Sequence, residues 1–275
     1  MCRILKVPRS TFYDWLNRPQ SELKAEDETL KKEILAIFLK SERTYGHRRI
    51  KKHLRKQGIR CSNTRIRRLM QELRLIPIQT RKFKATTNSK HSLPVAPNLL
   101  KQDFAAETPY EKWVGDITYI PTGEGWLCLA TVIDLFSRRV IGWAQSDRMT
   151  KQLVIDAMNI AITNESPPRG VIFHSDQGAQ YASFDFQHLL RENHILQSMS
   201  AKGDCYDNAC AESFFATIKK ELVHRRRFST RSEATLAILN YIVLWYNPHR
   251  IHSELGDLSP MEFEQEYYEK LSVAA

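Results

Sequence analysis

The chain is short of several features that would sort it quickly. No apolar run approaches the roughly 20 residues that a membrane-spanning helix needs. The start, "MCRILKVPRS", has neither the apolar core nor the cleavage site of a secretory signal. Cysteine is scarce, odd in number and scattered (Cys2, Cys61, Cys128, Cys205, Cys210), which points to reduced thiols rather than a disulfide frame. Cys205 and Cys210 have no second pair or histidines at finger spacing, so a zinc site is not expected of them. Low-complexity blocks are missing as well. These absences lead to the expectation of a folded cytoplasmic protein with no membrane partner. At 275 residues and 42% hydrophobic composition it has room for one large domain and one small one.

Acidic residues are the most informative shortage, because they are scarce in one place only. Residues 1–90 hold 24 Lys and Arg against 8 Asp and Glu, a balance of +16, while the rest of the chain carries 17 against 23, or −6. A basic excess confined to one third of a chain favours a polyanionic partner, most simply nucleic acid.

That basic third reads as helical. Ser10 is placed to cap a helix carrying Phe12, Trp15 and Leu16, while Cys2, Ile4 and Leu5 read as the end of an earlier helix. Residues 26–40 place Leu30, Ile34, Ile37 and Phe38 on one helical side. Ile50 and Leu54 mark the next helix, ended by Gly58. Another follows, capped by Ser62 or Asn63, with Ile66, Leu69, Met70 and Leu73 inward. Arg65, Arg67 and Arg68 lie near the start of that helix, where a helix-turn-helix touches DNA. The region 1–76 is therefore expected to be a helical DNA-binding region, 77–107 a Pro-containing linker, and 108–270 a second domain.

From Trp113 the periodicity changes. "KWVGDITYI", "GWLCLATVIDLF" and "RRVIGWAQS" read as a meander of antiparallel strands. A helix over 150–163 follows, with Leu153, Val154, Ala157, Ile160 and Ala161 inward, then the strand "GVIFHSD", a helix near 184–193, the strand "ILQSMS" and a helix from about 209 to 223. The order implies a mixed α/β sheet flanked by helices. Three acids stand out. Asp116 sits inside a strand among apolar neighbours, where a carboxylate is expensive without a partner. Asp176 ends a buried strand, a usual ligand position in α/β sheets. Glu212 opens a helix, after Asn208 or Asp207 as cap, and borders its apolar face. Three such carboxylates brought together would suit hard divalent cations and a phosphate substrate. His174 shares Asp176's side of its strand and reads as structural or as a support behind Asp176; Asp134 reads as a strand-end or salt-bridge residue, Asp204 as a loop residue, and Trp245, Tyr246 and His249 as packing or DNA-facing side chains.

"WVGDITYI", "HSDQGAQYAS" and "DNACAESFFATIKKEL" resemble the three acidic motifs of the retroviral-integrase-like DDE transposases, and 35 residues separate Asp176 from Glu212, as in that superfamily's D-35-E spacing. "YGHRRIKKHLR" and the tail "FSTRSEATLAILNYIVLWYNPHRIHSELGDLSPMEF" extend the likeness to OrfB-type transposases of bacterial insertion sequences. The resemblance implies a ribonuclease-H-like, five-stranded core behind a small all-α helix-turn-helix region. It implies Asp116, Asp176 and Glu212 as a catalytic triad on two Mg²⁺ ions, with Mn²⁺ as a substitute, and Lys219, with Lys220 beside it, against DNA. It also implies DNA cleavage and strand transfer at element ends and targets, a homo-oligomer on DNA, an upstream-frame product or fusion that supplies the missing first helix, and a nucleoid-associated location in a bacterial cytoplasm. No His/His/Cys/Cys spacing of a retroviral zinc domain is found. A non-catalytic DNA-binding regulator and a nuclease without joining activity are the alternatives.

Overall fold

The structure is a computed structural model that describes residues 8–10, 12–13, 22–77, 93–200 and 208–274. The chain divides into two compact units, Met1–Ile78 and Gln79–Ala275.

In the first unit, α1 (Glu22–Lys40), α2 (His47–Lys56) and α3 (Asn63–Glu72) enclose Leu30, Ile34, Ile37, Phe38, Tyr45, Ile50, Leu54, Ile66, Leu69 and Met70. Gly58 follows α2 at φ 80°, the left-handed turn that glycine adopts without strain. Ser62 rather than Asn63 caps α3, its side chain accepting from the Arg65 N–H at 3.1 Å. Leu73, expected inward, is half-buried. Arg9 and Ser10 are already helical and the Phe12 N–H reaches the Pro8 carbonyl, so Ser10 is not a cap. Cys2, Ile4, Leu5, Trp15 and Leu16 lie outside the described residues.

The second unit is built on five strands: β1 (Lys112–Thr122), β2 (Gly125–Asp134), β3 (Val140–Ser146), β4 (Ile172–Ser175) and β5 (Leu196–Met199). Their order is β3-β2-β1-β4-β5. The meander β1–β2–β3 is antiparallel, and β4 and β5 are added parallel to β1. This is the expected mixed sheet of the ribonuclease-H-like class.

Alternation along the strands sorts the core into two layers. One face, carrying Val114 and Ile120 of β1, is covered by α6 (Ala209–Glu221) through Ala211, Phe214, Phe215 and Ile218. It is covered further by α7 (Arg231–Asn240) and the π-helical turn Tyr241–Tyr246. The other face, carrying Trp113, Cys128, Ala130 and Phe173, meets α4 (Lys151–Glu165) and α5 (Phe184–Glu192). Here Ile160, expected inward, is 37% exposed and Met158 takes the buried place. Gly142 permits the close approach of β3 to α4, since a Cβ there would lie 2.3 Å from the Ala157 carbonyl oxygen.

The compact part begins before residue 108. Leu93 and Ala96 pack on the second core layer, the Leu99 N–H donates to Ser198 Oγ at 2.8 Å, and buried Lys112 reaches Asp103 at 2.9 Å. Composition marks this stretch as a linker, but regularly spaced apolar residues let its later part adhere to the sheet. The C-terminal α8 (Pro260–Ala274) is tied on by Glu264, which meets Arg139 at 2.7 Å.

Candidate active site

Sheet register brings two of the acids together. β1 and β4 run parallel with Lys112 opposite Ile172, Trp113 opposite Phe173 and Val114 opposite His174. Carried two residues further, the same offset sets Asp116 level with Asp176, just past the end of β4. Neighbouring strands lie about 4.8 Å apart, and residues at one level share a face. Both acids belong to the series 112, 114, 116 and 172, 174, 176, which faces the α6 layer.

The surroundings of Asp116 report the crowding. Burial, then the Asp176 carboxylate, then Glu212 push its pKa up to about 8. The Ile117 N–H, donating to Oδ1 at 2.7 Å, and more weakly Lys219, pull the other way. Two like charges at one level of adjacent strands raise each other's cost of ionisation. Asp176 is oriented by a local turn in which the Gly178 N–H donates to Oδ1 at 3.0 Å. A Cβ on Gly178 would stand 2.9 Å from that oxygen, so glycine is the residue that fits the turn.

Glu212 lies in the first turn of α6 and is exposed; Lys219 is half-buried, its pKa lowered by burial and partly restored by Asp116. The two acids of the sheet are thus the near pair, and Glu212 is the weaker electrostatic neighbour. Among the described residues no three His, Cys, Asp or Glu side chains are close enough to hold one ion as they stand. Lys220 is half-buried on the same helix. Asn208 occupies the cap position of α6 without a side-chain cap bond, and Asp204, Cys205 and Asp207 lie outside the described residues.

Several neighbours were not singled out by sequence. Tyr181 is buried between Phe173 and Phe186, with ring centroids 5.9 and 5.5 Å away. Burial and both aspartates raise its pKa well above the usual value, so it stays a neutral phenol. Gly115 leaves room for Phe173, whose ring would come within 2.4 Å of a Cβ there. His174 is fully buried with Nδ1 2.8 Å from Ser198 Oγ on β5, the structural role expected. Asp134 accepts from the N–H groups of Tyr110 (2.9 Å) and Phe136 (2.7 Å), which makes it a buried organiser of the β2–β3 turn. Cys210 meets Arg138 at 2.6 Å. Tyr246 packs in the core against Phe214, and Trp245 packs partly against the same layer.

In the helical unit, two of the three arginines expected to face DNA are engaged internally. Arg65 bonds Asp27 at 2.7 Å and Glu26 at 3.1 Å; Arg68 bonds Asp27 at 2.5 Å and Glu72 at 2.7 Å. Arg67 is exposed.

Comparisons with known proteins agree with this architecture. Models described as an integrase core domain match residues 106–205 and 212–267, and one described as an HTH-like domain matches 24–83. Transposase InsF for insertion sequence IS3A of Escherichia coli (strain K12) is 44% identical over 269 residues, covering 96% of this chain and 92% of its own. An uncharacterized 31 kDa protein of insertion element IS600 from Shigella sonnei is also 44% identical over 269 residues, covering 98% and 99%. Of solved structures, the HTLV-2 integrase catalytic core domain in complex with magnesium aligns with TM-score 0.45 and 20% identity over 58% of this chain and 99% of that one. Sheet order and family matches together define an integrase-core polynucleotidyl transferase that works on DNA. Within that class, the chain belongs to the InsF-type transposases of the IS3 family of insertion sequences. No described helix is long and apolar enough to cross a membrane.

Proposed function

We propose that Asp116, Asp176 and Glu212 are the catalytic carboxylates of this transposase and hold two Mg²⁺ ions, with Mn²⁺ as a substitute, at a DNA phosphodiester. The observation that carries the reading is the register-matched pair of Asp116 and Asp176, in which burial first and then the Asp176 carboxylate push Asp116 up to about 8. An all-carboxylate donor set fits a hard divalent ion, and a place where anions are forced together is where such an ion reverses the local pKa logic. When bound, divalent ions there supply charge stabilisation at phosphorus and a water of lowered pKa.

The chain's own residues do the rest. Asp116 surrenders the proton that burial and the Asp176 carboxylate hold on it, while the Ile117 N–H keeps the carboxylate oriented. Asp176 is steadied by the Gly178 N–H. Glu212 is exposed and makes no hydrogen bond among the described residues, so its side chain is free to turn toward the pair. Lys219, seven positions on and two helical turns along the same face, positions a backbone phosphate, with Lys220 in support. The reaction is cleavage that frees a 3′-hydroxyl at an element end. That oxygen then bonds to the phosphorus of a second phosphodiester as its P–O bond to the leaving strand breaks, with no covalent protein intermediate. A homo-oligomer on DNA, an upstream-frame product or fusion, and a place on the nucleoid in the bacterial cytoplasm belong to the same reading.

The test uses labelled element ends in Mg²⁺. Wild type is expected to cleave and join them. Asp116→Asn, Asp176→Asn and Glu212→Gln are expected to lose both steps while still shifting the same DNA. Joining by Glu212→Gln at the wild-type rate would remove Glu212 from the set.

A further inference from the structure

The start of α3 is where a helix-turn-helix ordinarily meets DNA, yet its charge is largely spent within the protein. Asp27 of α1 bonds both Arg65 and Arg68, and Glu26 and Glu72 each accept one further bond, from Arg65 and Arg68 respectively. These contacts lower the Asp27 pKa and raise those of both arginines, the mark of a satisfied network. Moving either guanidinium to a phosphate would break the tie between α1 and α3.

The opposite holds on α2, "HRRIKKHLRK", which contains no acidic residue. Ile50 and Leu54 are buried, and Arg48, Lys51 and Arg55 point elsewhere. At 100° per residue these three fall within about 60° of one another, on a side of the helix away from the two buried residues. Arg48 and Arg55 are exposed and Lys51 is half-exposed, and among the described residues none of the three has a hydrogen bond or ion pair. Arg48 also lies in the first turn, where a cation opposes the helix dipole. Among the described residues no carboxylate pairs with these three cations, which leaves them open to a polyanion.

We infer that the solvent side of α2, through Arg48, Lys51 and Arg55, is the surface by which the helical unit grips the phosphates of duplex DNA, in place of the start of α3. The inference rests on the reading of this unit as DNA-binding. From Arg48 to Arg55 the helix rises about 10 Å. The stripe spans about three steps of the ~3.4 Å axial rise per phosphate of one B-DNA strand, and its three cations suit about three phosphate contacts. Arginine and lysine at such a stripe supply affinity and register without reading bases.

The experiment measures binding of the full chain to a short mixed-sequence DNA duplex across a salt series. Each lost phosphate contact lowers the slope of log K against log[salt] by about 1. Arg48→Gln/Lys51→Gln/Arg55→Gln is expected to lower the slope by about 3 and leave the thermal midpoint unchanged, since glutamine suits an exposed helix. Arg65→Gln/Arg68→Gln is expected to do the reverse, keeping the slope and lowering the midpoint. A triple variant with the wild-type slope overturns the assignment to α2, as does a slope lost in the Arg65/Arg68 variant at an unchanged midpoint. A chain without the helical unit that binds the duplex with the full wild-type affinity and slope overturns the underlying reading instead.

Discussion

Asp116 is a carboxylate held where ionisation is resisted, and this gives a signed pH dependence. The unfolded chain releases the proton near 3.8 and the folded, metal-free chain near 8, so ionisation weighs against the fold progressively between those values. Asp116→Asn is neutral throughout. It is therefore expected to raise the thermal midpoint of metal-free protein at pH 8 and to change it little near pH 4. A gain that does not grow with pH would contradict the raised pKa assigned to Asp116. Gly115 makes a second prediction: Gly115→Ala is expected to cost about 1–3 kcal/mol in denaturant unfolding through overpacking against Phe173, and Phe173→Leu in the same chain to recover part of it. The acids themselves were legible in sequence, because a carboxylate inside "WVGDITYI" is an anomaly that asks for a reason. Tyr181 and Gly115 were not. Their roles depend on which side chain leans over which strand, and that is settled by cross-sheet packing rather than spacing.

At the scale of elements, α6 is anchored at its far end by a buried ion pair. Arg250 Nε lies 3.1 Å from Glu221 Oε1, the Tyr241 hydroxyl donates to Glu221 Oε2 at 2.7 Å, and Arg250 Nη1 is 3.2 Å from His252 Nε2. The helix that carries Glu212 and Lys219 is thereby pinned to the C-terminal segment. Arg250→Ala leaves a buried carboxylate uncompensated and is expected to lower stability by about 3–5 kcal/mol, read by denaturant unfolding. Tyr241→Phe is expected to lose about 1–2 kcal/mol. Losses under 1 kcal/mol for Arg250→Ala would show that the pair is not an anchor. Helix faces were read well where 3.6-residue periodicity holds, as for Leu30, Ile34 and Ile37 or Ile66 and Leu69. That period breaks at Tyr241–Tyr246, where the π-turn brings Tyr241 and Tyr246 to one side with rings 6.1 Å apart, a placement no α-helical pattern anticipates. Ile160 misled because an apolar residue at the border of a face reads as inward until the neighbouring strand's width is known.

At the scale of the whole molecule, the uneven charge pointed to a nucleic-acid partner, and the antiparallel meander followed from the three β-type runs and the short breaks Gly123-Glu124-Gly125 and Ser137-Arg138 between them. The parallel addition of β4 to β1 was carried by the family resemblance, since no local signal pairs strands 60 residues apart. That pairing creates the proposed site, because it puts Asp116 level with Asp176. Metal removal should therefore separate the two activities of the chain: chelation is expected to abolish cleavage and joining of labelled ends and to leave duplex binding within about twofold. Equal loss of both would mean that the metal supports the fold or the DNA surface. The most direct measurement is a crystal structure of the chain on an element-end duplex grown with Mn²⁺, using the ion's anomalous signal. The account predicts manganese within about 2.0–2.3 Å of carboxylate oxygens of Asp116 and Asp176, with Glu212 turned in to ligate beside them. Manganese bound elsewhere, or at Asp116 and Asp176 with Glu212 still facing solvent, would contradict it.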